Sequence, residues 1–142
     1  MLNLTDTVAA NYLYHHVLTE SRVYPTLAAG ATVVSAAANW TYGAYAVIIP
    51  AATITSRFHI HHFVIESCNQ NDVFQLQIYK GAADDVVSTI RFALAGGFWG
   101  NMVYVVSSEL CDANSQVRAR LACSNGLAAQ ATITMSITYV LE

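Results

Sequence analysis

The chain has 142 residues, 55% of them hydrophobic and only 11% charged, with a net charge of −3. A soluble domain ordinarily carries about 25% charged residues. The apolar content excludes disorder, and six cations spread along the sequence form no basic stripe for nucleic acid. The length suits one domain with a core of its own. Residues 23–56 are 34 consecutive uncharged positions. A surface so poor in charge lacks the usual protection against association, which leaves a membrane protein or a surface covered by partners. The membrane reading fails on length. The longest clean apolar stretch, Ala44 to Ala52, is broken by Pro50, whereas a spanning helix needs about 20 apolar residues.

Residues 1–25 read as an N-terminal arm or short helix. Leu4, Val8, Tyr12 and His16 recur at helical spacing, and Thr5 or Asp6 suits a cap. An arm extended onto a partner fits equally well, with Tyr12 a contact candidate. Met1 to Asp6 lacks the basic start of a secretory signal, so synthesis is expected in a host cytoplasm. Asn3-Leu-Thr and Asn39-Trp-Thr match a glycan acceptor pattern by chance on this reading.

Residues 26–142 read as a single β-sandwich domain. Thr32 to Ser35 is the first strand, and Tyr45 to Ile49 the second, stopped by Pro50. Phe58 to Ser67 changes parity: Phe58 and Ile60 point one way, Phe63 and Ile65 the other. A bulge near His61-His62 is therefore predicted. Val73 to Tyr79 alternates Phe74, Leu76 and Ile78 against Gln75 and Gln77, between turn signals at Asn69–Asp72 and Lys80-Gly81. Val86 to Ala93 and Met102 to Ser108 follow, separated by a Gly96-Gly-Phe-Trp-Gly100 loop. Gln116 to Cys123 sets Val117, Ala119, Leu121 and Cys123 against Arg118, Arg120 and Ala122. Ser124-Asn125-Gly126 then predicts a hairpin turn. In the last strand Ile133, Met135, Ile137 and Tyr139 alternate with threonines and serine.

The sum is an all-β fold of about eight antiparallel strands, a jelly roll or β-sandwich. Its outward positions are Thr, Ser, Gln and Ala. Edge strands normally defend themselves with lysine or inward charge, so these edges are expected to be covered by neighbouring chains.

The sharpest local chemistry is His59-Ile-His61-His62, followed by Glu66. It resembles the first metal motif of cupins, which are also jelly rolls, and makes His59 and His61 the candidate ligands. The flanking glycines of that motif are replaced by Thr53 and Val73, and no later histidine supplies another ligand. The alternative places one or two imidazoles against a neighbouring subunit or a carboxylate, where they make assembly pH-sensitive. There is no G-x-S-x-G nucleophile elbow and no phosphate loop, so no catalytic residue or cofactor is assigned. Cys68, Cys111 and Cys123 lack zinc spacing and read as small buried hydrophobes. Asp84 and Asp85 read as a solvated turn. Trp40, Tyr42, Tyr45, Phe98 and Trp99 are aromatic residues held near loops, and so candidate interface anchors. Trp40 and Trp99 suit a core position equally well.

With the strands laid out, the chain resembles head decoration, or cement, proteins of tailed bacteriophages. The segments that carry the resemblance are Trp40 to Pro50, Phe58-His-Ile with Phe63 to Ser67, Asn71 to Gly81, and Ile90-Arg-Phe92. The resemblance implies a non-enzymatic virion protein, often trimeric, that sits on the capsid surface and clamps neighbouring copies of the major capsid protein. Phage tail and fibre tips share the style, and there the loop around Phe98 and Trp99 would bind a cell-surface glycan. A cupin-like metal enzyme is the third reading.

Overall fold

The computed structural model describes residues 21–26, 28–95, 99–126 and 130–142, with backbone alone at 99–101 and 107–109. The described residues form nine β-strands and no helix. They are β1 (Ser21–Tyr24), β2 (Ala31–Val34), β3 (Ala46–Ile49), β4 (Phe58–Cys68), β5 (Asp72–Lys80), β6 (Asp85–Leu94), β7 (Trp99–Cys111), β8 (Val117–Cys123) and β9 (Thr132–Leu141). One sheet runs β1-β9-β4-β7, with β2 lying beside β9 next to β1; the other runs β3-β8-β5-β6.

The pairings are nested. β5 pairs with β6, β4 with β7, β3 with β8 and β2 with β9, all antiparallel. The chain is thus one long hairpin with its tip at the β5–β6 turn, rolled so that successive pairs fall in alternate sheets. That is the jelly-roll solution to closing two sheets over one core. At the tip, Gly81 takes φ +70° with open space around its Cα, as the sequence signal at Lys80-Gly81 requires.

The core fills the space between the sheets with the residues whose period-2 alternation marked them. Phe58, Ile60, Phe63 and Ile65 of β4 and Ile133, Met135 and Ile137 of β9 are wholly buried. They face Phe74, Leu76 and Ile78 of β5 and Val117, Ala119 and Leu121 of β8. An aromatic chain crosses between the sheets: Phe74–Phe92 at 5.5 Å, Phe92–Tyr104 at 5.5 Å and Tyr104–Phe63 at 5.8 Å between ring centres. Cys68, Cys111 and Cys123 are all buried, as small hydrophobes are.

The parity change in β4 has the predicted cause. Its register shifts between Ile60 and His62 against both β7 and β9, and relative to β9 His61 is the extra residue. A second shift, between Ile65 and Ser67, makes Glu66 the extra residue relative to β9 and restores the parity. The Glu66 carboxylate reaches over β9 and accepts the Gly30 N–H at 2.9 Å. Gly30 lies so near the Met135 carbonyl that a Cβ would stand 2.3 Å from its oxygen.

Three expectations are corrected. Residues 21–24, assigned to an arm or helix, form a ninth strand on β9; the helical spacing from Leu4 to His16, with Tyr12, lies outside the described residues. Ser124-Asn125-Gly126 does not close a hairpin, because β8 already has β3 and β5 on its two sides and β9 belongs to the other sheet. Trp99 is not a loop residue: it opens β7 and pairs with Ser67. Phe98 lies outside the described residues.

Candidate interaction surface

Among the described residues, the outer face of the β3-β8-β5-β6 sheet brings arginines, glutamines and aromatic rings together. Three cross-strand rows build it. Ala122, Gln75 and Arg91 form the first; Arg120, Gln77 and Thr89 the second; Arg118, Tyr79 and Val86 the third. These are outward positions of β8, β5 and β6, opposite in parity to the core residues except at Val86, which the register shift at Val87 turns outward. Three of the chain's five arginines thereby meet on one face, although they look dispersed in sequence.

The connection from β2 to β3 supplies the aromatic layer. Beyond β2, Ser35 is buried and ties two strand ends: its N–H donates to the Ala131 carbonyl at 2.9 Å, and its hydroxyl accepts the Ala131 N–H at 3.1 Å. The chain then runs alongside β8. Trp40 N–H donates to Cys123 O at 2.7 Å and Gly43 N–H to Leu121 O at 2.9 Å. Trp40 has φ 53° in the turn closed by Thr41 N–H and Ala38 O. A Cβ on Gly43 would stand 2.0 Å from Val34 O, so only glycine lets this segment pass that close to the end of β2.

Each guanidinium then lies on a ring. Arg91 sits 4.4 Å from the Trp40 ring centre, and Arg118 4.5 Å from that of Tyr45. Arg120 contacts three rings, Tyr45 at 4.6 Å, Tyr42 at 4.9 Å and Tyr79 at 5.1 Å. Such cation–π contacts contribute about 0.5–1 kcal/mol each at exposed sites. Tyr45 meets Tyr79 edge-on at 5.2 Å. Tyr79 is 2% exposed despite its outward position, because this layer covers it.

Neutral groups make most of the hydrogen bonds. Gln75 accepts from Arg91 at 2.7 Å and donates to the Tyr42 hydroxyl. Gln77 accepts from the Tyr79 hydroxyl and from Arg120, and donates to Thr89. The Tyr79 hydroxyl in turn accepts from Arg120 Nε at 3.1 Å. At the margin, Asp84 accepts from the Tyr45 hydroxyl at 2.7 Å and pairs with Arg118 at 3.4 Å. The Asp84 bond raises the Tyr45 phenol above its ordinary value, with burial acting the same way and the Arg120 charge opposing. Burial pulls Arg120 downward, but its bond to Tyr79 and the fields of Tyr79, Tyr45 and Asp84 more than reverse this.

The aromatic candidates therefore part company. Trp40, Tyr42 and Tyr45 converge here, and at 43% exposure Trp40 is no core residue. The described part of Trp99 is its backbone in β7, at an edge of the other sheet. Sequence reading missed Arg91, Arg118, Arg120 and the glutamines as partners of these rings; their outward parity was the one available signal.

His59, His61 and His62 lie on the other sheet. His59 pairs with Leu110 and Val140, and His62 with Val105 and Thr138, while His61 is the bulge residue between them. The bulge breaks the shared strand face that two ligands at i and i+2 need. The His61 and His62 rings lie 6.2 Å apart and steeply inclined. Among the described residues no three His, Cys, Asp or Glu groups gather closely enough to hold a metal. A cleft of about 380 Å³ beside β2 and β3 is lined by Thr32, Val34, Ser35, Ala44, Tyr45, Ala46 and Gln130. That lining offers no carboxylate, imidazole or thiol for general acid–base work.

No protein-family model matches the chain, and no curated protein does. Solved structures that match include VP2 of infectious bursal disease virus in a subviral particle, at 13% identity and TM-score 0.42, covering 87% of this chain and 33% of that one. T=1 particles derived from the same virus match at 14% identity and TM-score 0.41, covering 87% and 32%. The chain spans about a third of the length of these structures. Likeness at that level is to a general arrangement of strands and carries no argument about function.

Proposed function

We propose that the chain is a structural subunit of a virus particle, one that works by docking and not by catalysis. The observation that carries the reading is the placement of its exposed valines. Val23 on β1, Val47 on β3, Val86 on β6, and Val103 and Val105 on β7 are 44–78% exposed, and each sits on a strand at the edge of its sheet. Edges of monomers usually carry lysine, proline or inward charge. Here the single lysine, Lys80, is on the central strand β5, and β3 has no charge at all. Among the described residues these strands are paired on one side only, and edges that carry apolar, β-branched side chains suit burial against other chains.

The finer reading follows the resemblance to phage decoration proteins: a homotrimer on the capsid surface, contacting the major capsid protein. A protein that binds only the assembled shell stabilises it by mass action, and several weak contacts per oligomer multiply. The test is co-sedimentation with empty capsids and with host cells, alongside light scattering of the purified protein. Binding to capsids by a trimer or larger species is expected; a stable monomer at micromolar concentration that ignores capsids overturns the reading. Binding to cells alone would favour a receptor-binding fibre tip.

A further inference from the structure

We propose that the outer face of the β3-β8-β5-β6 sheet docks an acidic protein surface. The inference takes from the proposed function only that the chain works by docking, and it names the partner's chemistry. Three features of the face carry it.

The first is charge. Among the described residues, Arg91, Arg118 and Arg120 share the face with one carboxylate, Asp84, whose side chain is 68% exposed at the margin. The rest of the chain holds three cations and eight acidic residues, from totals of six and nine. The face is therefore a positive island on an acidic molecule. Arg91 and Arg120 spend their hydrogen bonds on Gln75, Gln77 and Tyr79 and form no ion pair with a carboxylate among the described residues, Asp84 reaching Arg120 only through its field. Complementary potential of this kind steers and orients a partner.

The second is preorganisation. Guanidiniums laid on Trp40, Tyr42, Tyr45 and Tyr79 are already held against rings, which lowers the ordering cost when a carboxylate arrives. Trp, Tyr and Arg are also the residue types that dominate measured binding energy at protein interfaces.

The third is spacing. Arg118 and Arg120 are two residues apart on β8, about 7 Å, and Arg91, two strands away and one row further on, is about 12 Å from Arg120. Charges so separated, on the outside of a sheet, match carboxylates on different side chains of a protein better than the single carboxylate of one sugar. Small ligands also favour concave sites.

The test uses the full chain and a glutamate-rich peptide as probe, against the same peptide with glutamine. Binding should favour the glutamate peptide by at least about tenfold at low ionic strength and fade as salt screens it. Arg91→Gln, an exposed substitution that leaves the fold intact, should weaken it about three- to tenfold, and Arg91→Gln with Arg118→Gln further still. Arg57→Gln, at the Glu142 ion pair near the end of the other sheet, should leave it unchanged. Equal binding of both peptides overturns the proposal, as does indifference to the Arg91 and Arg118 substitutions. Displacement of the peptide by polygalacturonate at lower carboxylate concentration also overturns it, in favour of an acidic glycan. The two readings fail separately. Glutamate-peptide binding without capsid co-sedimentation leaves this inference standing and removes the capsid-surface role. Capsid co-sedimentation undiminished in the double variant removes this inference alone.

Discussion

The Arg91 guanidinium lies over the Trp40 ring, 4.4 Å from its centre, and so joins the β2–β3 connection to the edge strand β6 across the width of a sheet. Neither residue is near the other in sequence, and the contact exists only because β8 and β5 lie between them. It anchors one end of a layer of rings and guanidiniums whose other end is Arg118 and Asp84.

Arg120 is the centre of that layer and should matter most to stability. Arg120→Gln removes three ring contacts and the bonds to Tyr79 and Gln77. A loss of about 1–3 kcal/mol is expected from these together, read as a lower urea midpoint with unchanged slope. Arg91→Gln, at the exposed end, should cost under about 1 kcal/mol.

Asp72 gives the fold an acid sensitivity. Burial pushes its carboxyl upward, but hydrogen bonds from Ser124, Val73, Asn125 and Gln70 outweigh this and hold it below the usual 3.8. Val73 N–H donates at 2.7 Å and Ser124 N–H at 3.2 Å, joining the start of β5 to the exit from β8. A depressed folded-state value contributes stability that is complete above 3.8 and is lost as pH falls through the lower folded value. Asp72→Asn should lower stability at neutral pH by about 1–3 kcal/mol and flatten the loss below pH 4, as measured by denaturant titration across pH.

Two glycines should rank clearly. Gly43→Ala puts a Cβ against the Val34 carbonyl and should destabilise by about 2 kcal/mol or more. Gly81→Ala meets nothing within 4 Å and carries only the strain of φ +70°, about 1 kcal/mol. Thermal melts of the two variants test the order; equal shifts would contradict the close approach at Gly43.

Charging an edge should weaken association without touching the core. Val103→Lys and Val105→Lys alter side chains that are 57% and 78% exposed. Folding stability should change by under about 0.5 kcal/mol, while the oligomer seen by light scattering shifts toward monomer. An unchanged oligomer would move the contact away from β7.

Much of the fold was legible because alternation is a local signal. Residues that point inward along β4, β5, β8 and β9 can be read one strand at a time, and even the His61 bulge shows as a parity break inside a single segment. Strands without such a pattern were harder. Ser21–Tyr24 is short and exposed on three of its four residues; only the unpaired edge of β9 makes it a strand. Trp99 pairs with β4 despite the glycines around it. Asn125-Gly126 has hairpin chemistry, yet no edge of β8 was open to receive β9.

Composition and alternation alone determined that this chain is all-β and that it is poor in charge overall. The jelly-roll nesting, the apolar edges and the aromatic–arginine face were decided by tertiary structure. Parity tells a side chain which face of its strand to take, but the neighbours on that face depend on strand order. Arg91, Arg118 and Arg120 are scattered cations in sequence. They become one surface because β8, β5 and β6 lie side by side, with Trp40 to Tyr45 running along the β8 edge.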